Sequence, residues 1–377
     1  MTRVVGEWLT SAPAQRICAM LTDAGHQAWF VGGCVRNALL GAEVSDLDLS
    51  TDAHPDRVLE LAEIAGIRAI PTGIEHGTVT LVADGIPFEV TTFRRDVATD
   101  GRRATVAFAD NMTDDARRRD FTMNALYAGP DGALTDPLGG LPDLVARKVR
   151  FIENPDRRIK EDYLRILRFF RFHAWYGNPA AGIDADGLAA CAANIDGLDS
   201  LSSERVTAEM LKLLAAPDPA PAVASMASAG ILARVLPGAA PSGLAVLVHL
   251  EQDLGIAPSP IRRLAVLGGQ TEHLRLSREE SRQLEVIKST LALPELAYRH
   301  GFAAARDAAL VNAAASSAPV TAAALDDLRG ASEMVFPLAA ADFMPALSGP
   351  ALGRALKEAE ARWIASGFTL TKAELLG

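Results

Sequence analysis

Val31-Gly32-Gly33-Cys34-Val35-Arg36, followed about a dozen residues later by Val44-Ser45-Asp46-Leu47-Asp48-Leu49, decides how the rest of the chain is read. Trp29-Phe30-Val31 has the make-up of a short buried strand, Gly32-Gly33 of a tight turn, and Val35 to Leu40 of a helix ended by Gly41. The turn thus opens onto a helix N-terminus, where glycines let the backbone approach an anion and unpaired N–H groups bind it. Arg36 is placed to add a charge-assisted contact. In the second stretch the period of a strand sends Asp46 and Asp48 to one side and Leu47 and Leu49 to the core. Two converging carboxylates suit Mg²⁺, a hard cation that takes a few carboxylate oxygens plus substrate phosphates.

Working outward, Phe88-Glu89-Val90-Thr91-Thr92 alternates, so that Phe88 and Val90 face one side and Glu89 the other, able to join the aspartates as a third acid. Arg117-Arg118-Arg119-Asp120-Phe121-Thr122-Met123-Asn124-Ala125-Leu126 supplies a fork for phosphate and, through Asp120 and Asn124, acceptors for sugar hydroxyls. Glu161 to Arg171 has helical apolar spacing at Leu164, Leu167 and Phe170, with Asp162, Arg165, Arg168 and Arg171 along the opposite side. That stripe is either an ion-pair ladder or a surface that reads a base.

Together these residues resemble the class II tRNA nucleotidyltransferases and their bacterial poly(A) polymerase relatives, within the polymerase-beta-like superfamily. The resemblance runs from about Ala28 to Pro237. Besides the stretches above it rests on Glu89-Val90-Thr91-Thr92-Phe93-Arg94, Asp136-Pro137-Leu138-Gly139-Gly140 with Asp143-Leu144, Glu161-Asp162 with Arg165, and Leu201-Ser202-Ser203-Glu204-Arg205-Val206, all in the family's order. It implies an α+β protein, with a nucleotidyltransferase head over 1–150, a helical neck over 151–216 and a helical body and tail over 217–377.

The resemblance further implies addition of CCA to the 3′ end of tRNA from CTP and ATP. Asp46 and Asp48 are then the catalytic pair, holding Mg²⁺ with Glu89. Gly32, Gly33, Arg36, Arg119, Asp120, Asn124, Asp162, Arg165 and Arg168 are the nucleotide-binding residues, with Arg119 and Asp120 reading the ribose and Asp162 and Arg165 the base. The segment from Arg94 to Asn111 resembles the flexible loop implicated in the change from C to A addition, which argues against an enzyme adding only CC. Asn37 departs from the pattern, standing where the family usually has Asp. That puts the helix start, or a salt bridge to Arg36, in question rather than catalysis.

Poly(A) synthesis is the nearest alternative. Pro71 to Val79 resembles the CCA-type sequence, and Asp342 to Gly377 holds four basic and four acidic residues rather than a basic extension. A non-catalytic RNA-binding protein is expected to have lost an aspartate or the Asp162 and Arg165 pair, and all are present.

A net charge of −10 over 377 residues is unusual for an RNA partner, yet Arg147 to Arg171 carries nine Lys or Arg against four Asp or Glu. The three cysteines form no C-x-x-C pair, so neither a disulfide framework nor a zinc site is expected. The scattered histidines provide no dyad for a phosphohydrolase. With no long apolar run and no signal peptide, no membrane partner and a cytoplasmic location are expected. The sequence leaves the oligomeric state open.

Overall fold

The computed structural model describes residues 2–99, 104–344 and 346–377. Two compact units emerge: one runs to Met210 and adds Pro221–Val235, the other comprises Leu211–Ala220 and Leu236–Gly377.

The first unit is built on a seven-stranded mixed sheet. Its strands are β1 (Trp29–Val31), β2 (Leu47–Thr51), β3 (Arg68–Gly73), β4 (Thr78–Ala83) and β5 (Ile86–Thr92); β6 (Arg94–Thr99) and β7 (Ala104–Phe108) form a separate ribbon, and β8 (Tyr127–Ala128) and β9 (Leu134–Thr135) complete the sheet. The order is β3-β4-β5-β2-β1-β8-β9, and only β2 and β5 pair in parallel. β4 and β5 are joined by Asp84-Gly85, both at positive φ, as a two-residue hairpin turn requires. β2 lies centrally: Leu47 and Leu49 are buried while Asp48 is only half-buried, the alternation expected of a strand with one wet face. Residues 94–111, read above as a flexible loop, form the β6–β7 ribbon as far as Phe108 where described; 100–103 lie outside the described residues.

The strand-to-helix change falls near residue 150, but the first unit continues past it. Phe121 packs at a tilt against Phe172 and Phe151, each at 4.9 Å between ring centres, and Phe151 stacks on Phe169 at 5.2 Å. This aromatic core, with main-chain bonds from Thr122 to Arg150 and from Ile152 to Asp120, fuses head and neck into one body. The helix expected to start at Glu161 is broken there: one helix, Pro155–Glu161, ends before Asp162, and the next spans Leu164–Tyr176. Oδ1 of Asp162 accepts from the N–H of Leu164, a local bond that competes with continuing the helix.

In the second unit, alanines at 305, 308 and 309 let the Leu293–His300 and Phe302–Ser316 helices approach closely. Arg262 and Arg263 are only 1% exposed. Glu251 accepts from both of them, Asp307 accepts from Arg262, and Arg263 also donates to the carbonyls of Leu214, Ala216 and Pro217. The expected capping box at Thr371 and Glu374 forms. Among the described residues no helix is long and apolar enough to cross a membrane. Cys18, Cys34 and Cys191 are all buried, and all three belong to the first unit.

Candidate active site

Gly32 sits at φ +74°, a conformation that side-chain-bearing residues rarely adopt. A Cβ there would lie 3.4 Å from Nη1 of Arg119 and 4.0 Å from Oδ2 of Asp48. The glycine turn therefore brings the helix Gly33–Leu40, the first β2 carboxylate and the Arg119 guanidinium to one point.

The parallel register sets Asp48 directly beside Glu89. With Asp46, just before the strand, and with Thr80 and Ser45, they line an open cavity of about 400 Å³. Burial first, then the charges of Glu89 and Asp46, push the Asp48 carboxyl up to about 6, against the opposing pull of Arg119. A divalent cation would relieve both the burial and the repulsion, so the donor set fits one. Among the described residues no three such side chains close into a metal cage. An open sheet face that leaves room for substrate oxygens suits a divalent cation shared with a ligand better than a closed cage does.

Arg119 is held from behind. Its Nη2 donates to Asp115 at 3.0 Å and to Ser50 at 3.3 Å, and its Nε to the Tyr127 hydroxyl at 3.3 Å. Asp115 is wholly buried and also takes Arg118 and Tyr127, and the arginines hold it far below the usual carboxylate range although burial acts the other way. Asp115, Ser50 and Tyr127 were missed in the sequence. The signal was an acid four residues before Arg119 on a short helix, Met112–Arg117.

The remaining candidates lie elsewhere in the same unit. Asp120 accepts from Arg168 on one oxygen and from Asn124 and the Phe121 N–H on the other. Arg36, expected to face the anion, is 6% exposed. It donates to Asn124 at 2.6 Å, to Asn37 and to the Tyr176 hydroxyl at 2.8 Å, with its guanidinium 4.0 Å from the Tyr176 ring centre. It fixes the helix to the neck instead. Asn37 answers the question of the departure: its Oδ1 accepts from Arg36 and its Nδ2 donates to the Glu43 carbonyl.

Asp162 and Arg165 do not pair with each other. Asp162 accepts from Arg205 at 2.7 Å, while Arg165 is held by Glu161 and by the carbonyls of Arg158 and Arg118. The ladder alternative fails, because Arg168 and Arg171 reach Asp120 and Glu209 across the fold.

A glycine turn, a helix N-terminus and acids on neighbouring parallel strands define a nucleotidyltransferase head. Residues 28–150 match the poly A polymerase head domain, and residues 182–242 match the family described as a probable RNA and SrmB-binding site of polymerase A. Over those residues the chain is similar to the tRNA nucleotidyltransferase/poly(A) polymerase family.

It is 38% identical over 240 residues to mitochondrial CCA tRNA nucleotidyltransferase 1 of Mus musculus, covering 63% of this chain and 50% of that protein. It is 40% identical over 229 residues to the CCA-adding enzyme of Geobacillus thermodenitrificans, covering 60% and 55%. The chain thus spans about half the length of the curated relatives it matches. The solved CCA-adding enzyme of Bacillus stearothermophilus in complex with CTP superposes with a TM-score of 0.74 at 28% identity, covering 95% of this chain and 94% of that one. The Thermotoga maritima CCA-adding enzyme complexed with tRNA shares the fold, with a TM-score of 0.70 at 18% identity over 100% and 97%.

Proposed function

We propose that this protein adds C, C and A, without a nucleic-acid template, to the 3′ end of tRNA from CTP and ATP, releasing pyrophosphate. The observation that carries the reading is Asp48 set beside Glu89 in parallel register, next to a turn that only glycine fits and that Arg119 flanks. Resemblance to CCA-adding enzymes through both the head and the full-length superposition supports it.

In this reading the 3′-hydroxyl attacks the α-phosphate in line. Asp46, Asp48 and Glu89 hold magnesium, which when bound supplies neutralisation of phosphate charge and a more acidic hydroxyl. The helix N-terminus at Gly33 and the Arg119 guanidinium bind the triphosphate from the other side. Positioning and charge neutralisation are most of what phosphoryl transfer needs. Arg119 and Asp120, with Asn124, select the ribose, and Arg168 keeps Asp120 ionised and oriented.

Base choice falls to Asp162 and Arg165. Glu161 and two carbonyls fix the Arg165 guanidinium, and a fixed donor fork beside a carboxylate acceptor leaves the wrong base with unpaired polar edges. Such sites discriminate by about 10⁴ or more. The body and tail, 217–377, grip the tRNA in this reading.

The test is extension of tRNA transcripts ending before CCA, after its first C and after CC, with CTP, ATP or both, in Mg²⁺. Two C additions, one A and a stop are expected. C addition alone marks a CC-adding enzyme, and unbounded A addition a poly(A) polymerase. No extension leaves a non-catalytic RNA-binding protein.

A further inference from the structure

The three consecutive arginines part company in the fold. Arg119 turns to Gly32 and Asp48, whereas Arg117 and Arg118 line a different cavity, of about 320 Å³, together with Arg95, Arg157 and Arg158. That cavity shares no lining residue with the carboxylate cavity. Arg95 comes from the β6–β7 ribbon, Arg117 from the Met112–Arg117 helix, and Arg157 and Arg158 from the Pro155–Glu161 helix. Segments far apart in sequence therefore converge there.

Its charge is unbalanced. Among the described residues that line it, five arginines meet three acids, Asp114, Glu153 and Glu161, and Asp115 behind the lining takes only Arg118 of the five. Glu161 is further divided among Arg157 at 3.5 Å, Arg158, and Arg165 at 2.7 Å, the last lying outside the cavity lining. Nε of Arg158 is buried without a hydrogen-bond partner. The Arg157 and Arg117 side chains remain 69% and 54% exposed, with Arg117 3.3 Å from Glu153 and Arg157 3.5 Å from Glu161, so both are loosely paired and accessible from solvent.

The chemistry of the lining selects that ligand. Among the described residues, every one that lines it is Arg, Asp or Glu, with no aromatic ring on which a base could stack. Nucleobases are held by stacking and edge contacts, whereas phosphates are held by guanidinium forks without regard to sequence.

We propose that this arginine-lined cavity binds a backbone phosphodiester of the RNA acceptor strand, away from the carboxylates that serve the incoming nucleotide. The inference rests on the reading that RNA is the acceptor. A phosphate here engages the residues whose main-chain carbonyls, at 118 and 158, also hold Arg165.

The test uses the full chain with Arg95→Ala, Arg157→Ala and the double variant, both positions being exposed side chains whose loss leaves the core intact. Binding of a tRNA transcript lacking CCA and binding of CTP are each measured over a salt series. The tRNA dissociation constant is expected to rise about fivefold per single variant, equally for tRNAs of different sequence. The slope of its logarithm against log salt should flatten by about one per lost phosphate contact. CTP affinity should stay within twofold, and Arg157→Lys should keep most tRNA affinity, because a point charge still satisfies a phosphate.

A parallel loss of CTP affinity assigns the cavity to the nucleotide and overturns the proposal. Unchanged tRNA affinity and salt slope reduce it to a closed ion cluster and overturn it equally. Binding is read without nucleotide addition, so a wild-type protein that binds tRNA but adds nothing removes the proposed activity while leaving this site standing.

Discussion

At the residue scale, Asp48 is a carboxyl that its surroundings hold near 6, first by burial and then by Glu89 and Asp46. A carboxyl raised in the fold binds its proton more tightly there than in the unfolded chain. Its contribution to stability is therefore complete below the unfolded value, near 4, and is lost as pH rises through about 6. Asp48→Asn should then stabilise the metal-free protein at pH 7 by at most about 3 kcal/mol and leave it unchanged at pH 4. Thermal unfolding in a chelator reads this, and a variant less stable than wild type at pH 7 refutes the repulsion. Asp48→Ala should abolish nucleotide addition with tRNA binding nearly intact, and residual extension by that variant would remove Asp48 from the metal site.

Residues of this kind were legible from the sequence because strand alternation and register are local rules. Glu89 was legible for the same reason. Arg36 was not: its partners Asn124 and Tyr176 stand 88 and 140 residues away, and nothing within its own helix points to them.

At the scale of elements, the Gly32 turn and the break at Asp162 are the two places where local conformation makes the site. Gly32→Ala forces a side chain into positive φ, costing about 1 to 2 kcal/mol, and crowds the Arg119 guanidinium. Its turnover number should fall by about 100-fold, the scale expected when a reacting group is displaced by an ångström, while the melting temperature shifts only modestly. Equal loss in both would make the turn merely structural.

Arg165 lies in the first turn of the helix after the break. Arg165→Ala should blur the choice of CTP and ATP over UTP and GTP more than it weakens tRNA binding, and unchanged selectivity in competition assays would end its role in reading the base. The apolar spacing of that helix was read correctly, but its start was not. Asp162 beside the first turn is a residue type that ends one helix and opens another, and periodicity alone does not register this.

For the whole molecule, the boundary between units was the hardest feature to read. The change from strands to helices near 150 is visible in the sequence, yet Phe121, Phe151, Phe169 and Phe172 weld the two sides together, and aromatic contacts across that change leave no periodic trace. The buried Arg262 and Arg263 were equally hidden, since their acids lie on other helices. Glu251→Ala leaves two desolvated guanidiniums short of a partner and should destabilise the protein by about 3 to 5 kcal/mol in urea unfolding. A cost under about 1 kcal/mol would mean that water replaces the carboxylate.

The distribution of cysteines follows the same division. Burial pushes Cys34 up to about 11 and Cys18 up to about 12, and raises Cys191 as well. All three should resist thiol reagents while the first unit is folded, and the second unit contributes no thiol at all. Labelling by a chromogenic disulfide thus becomes a clock for one half of the molecule. Its rate reports how often the first unit opens, and slowing by CTP or by a divalent cation would show that those ligands clasp it shut.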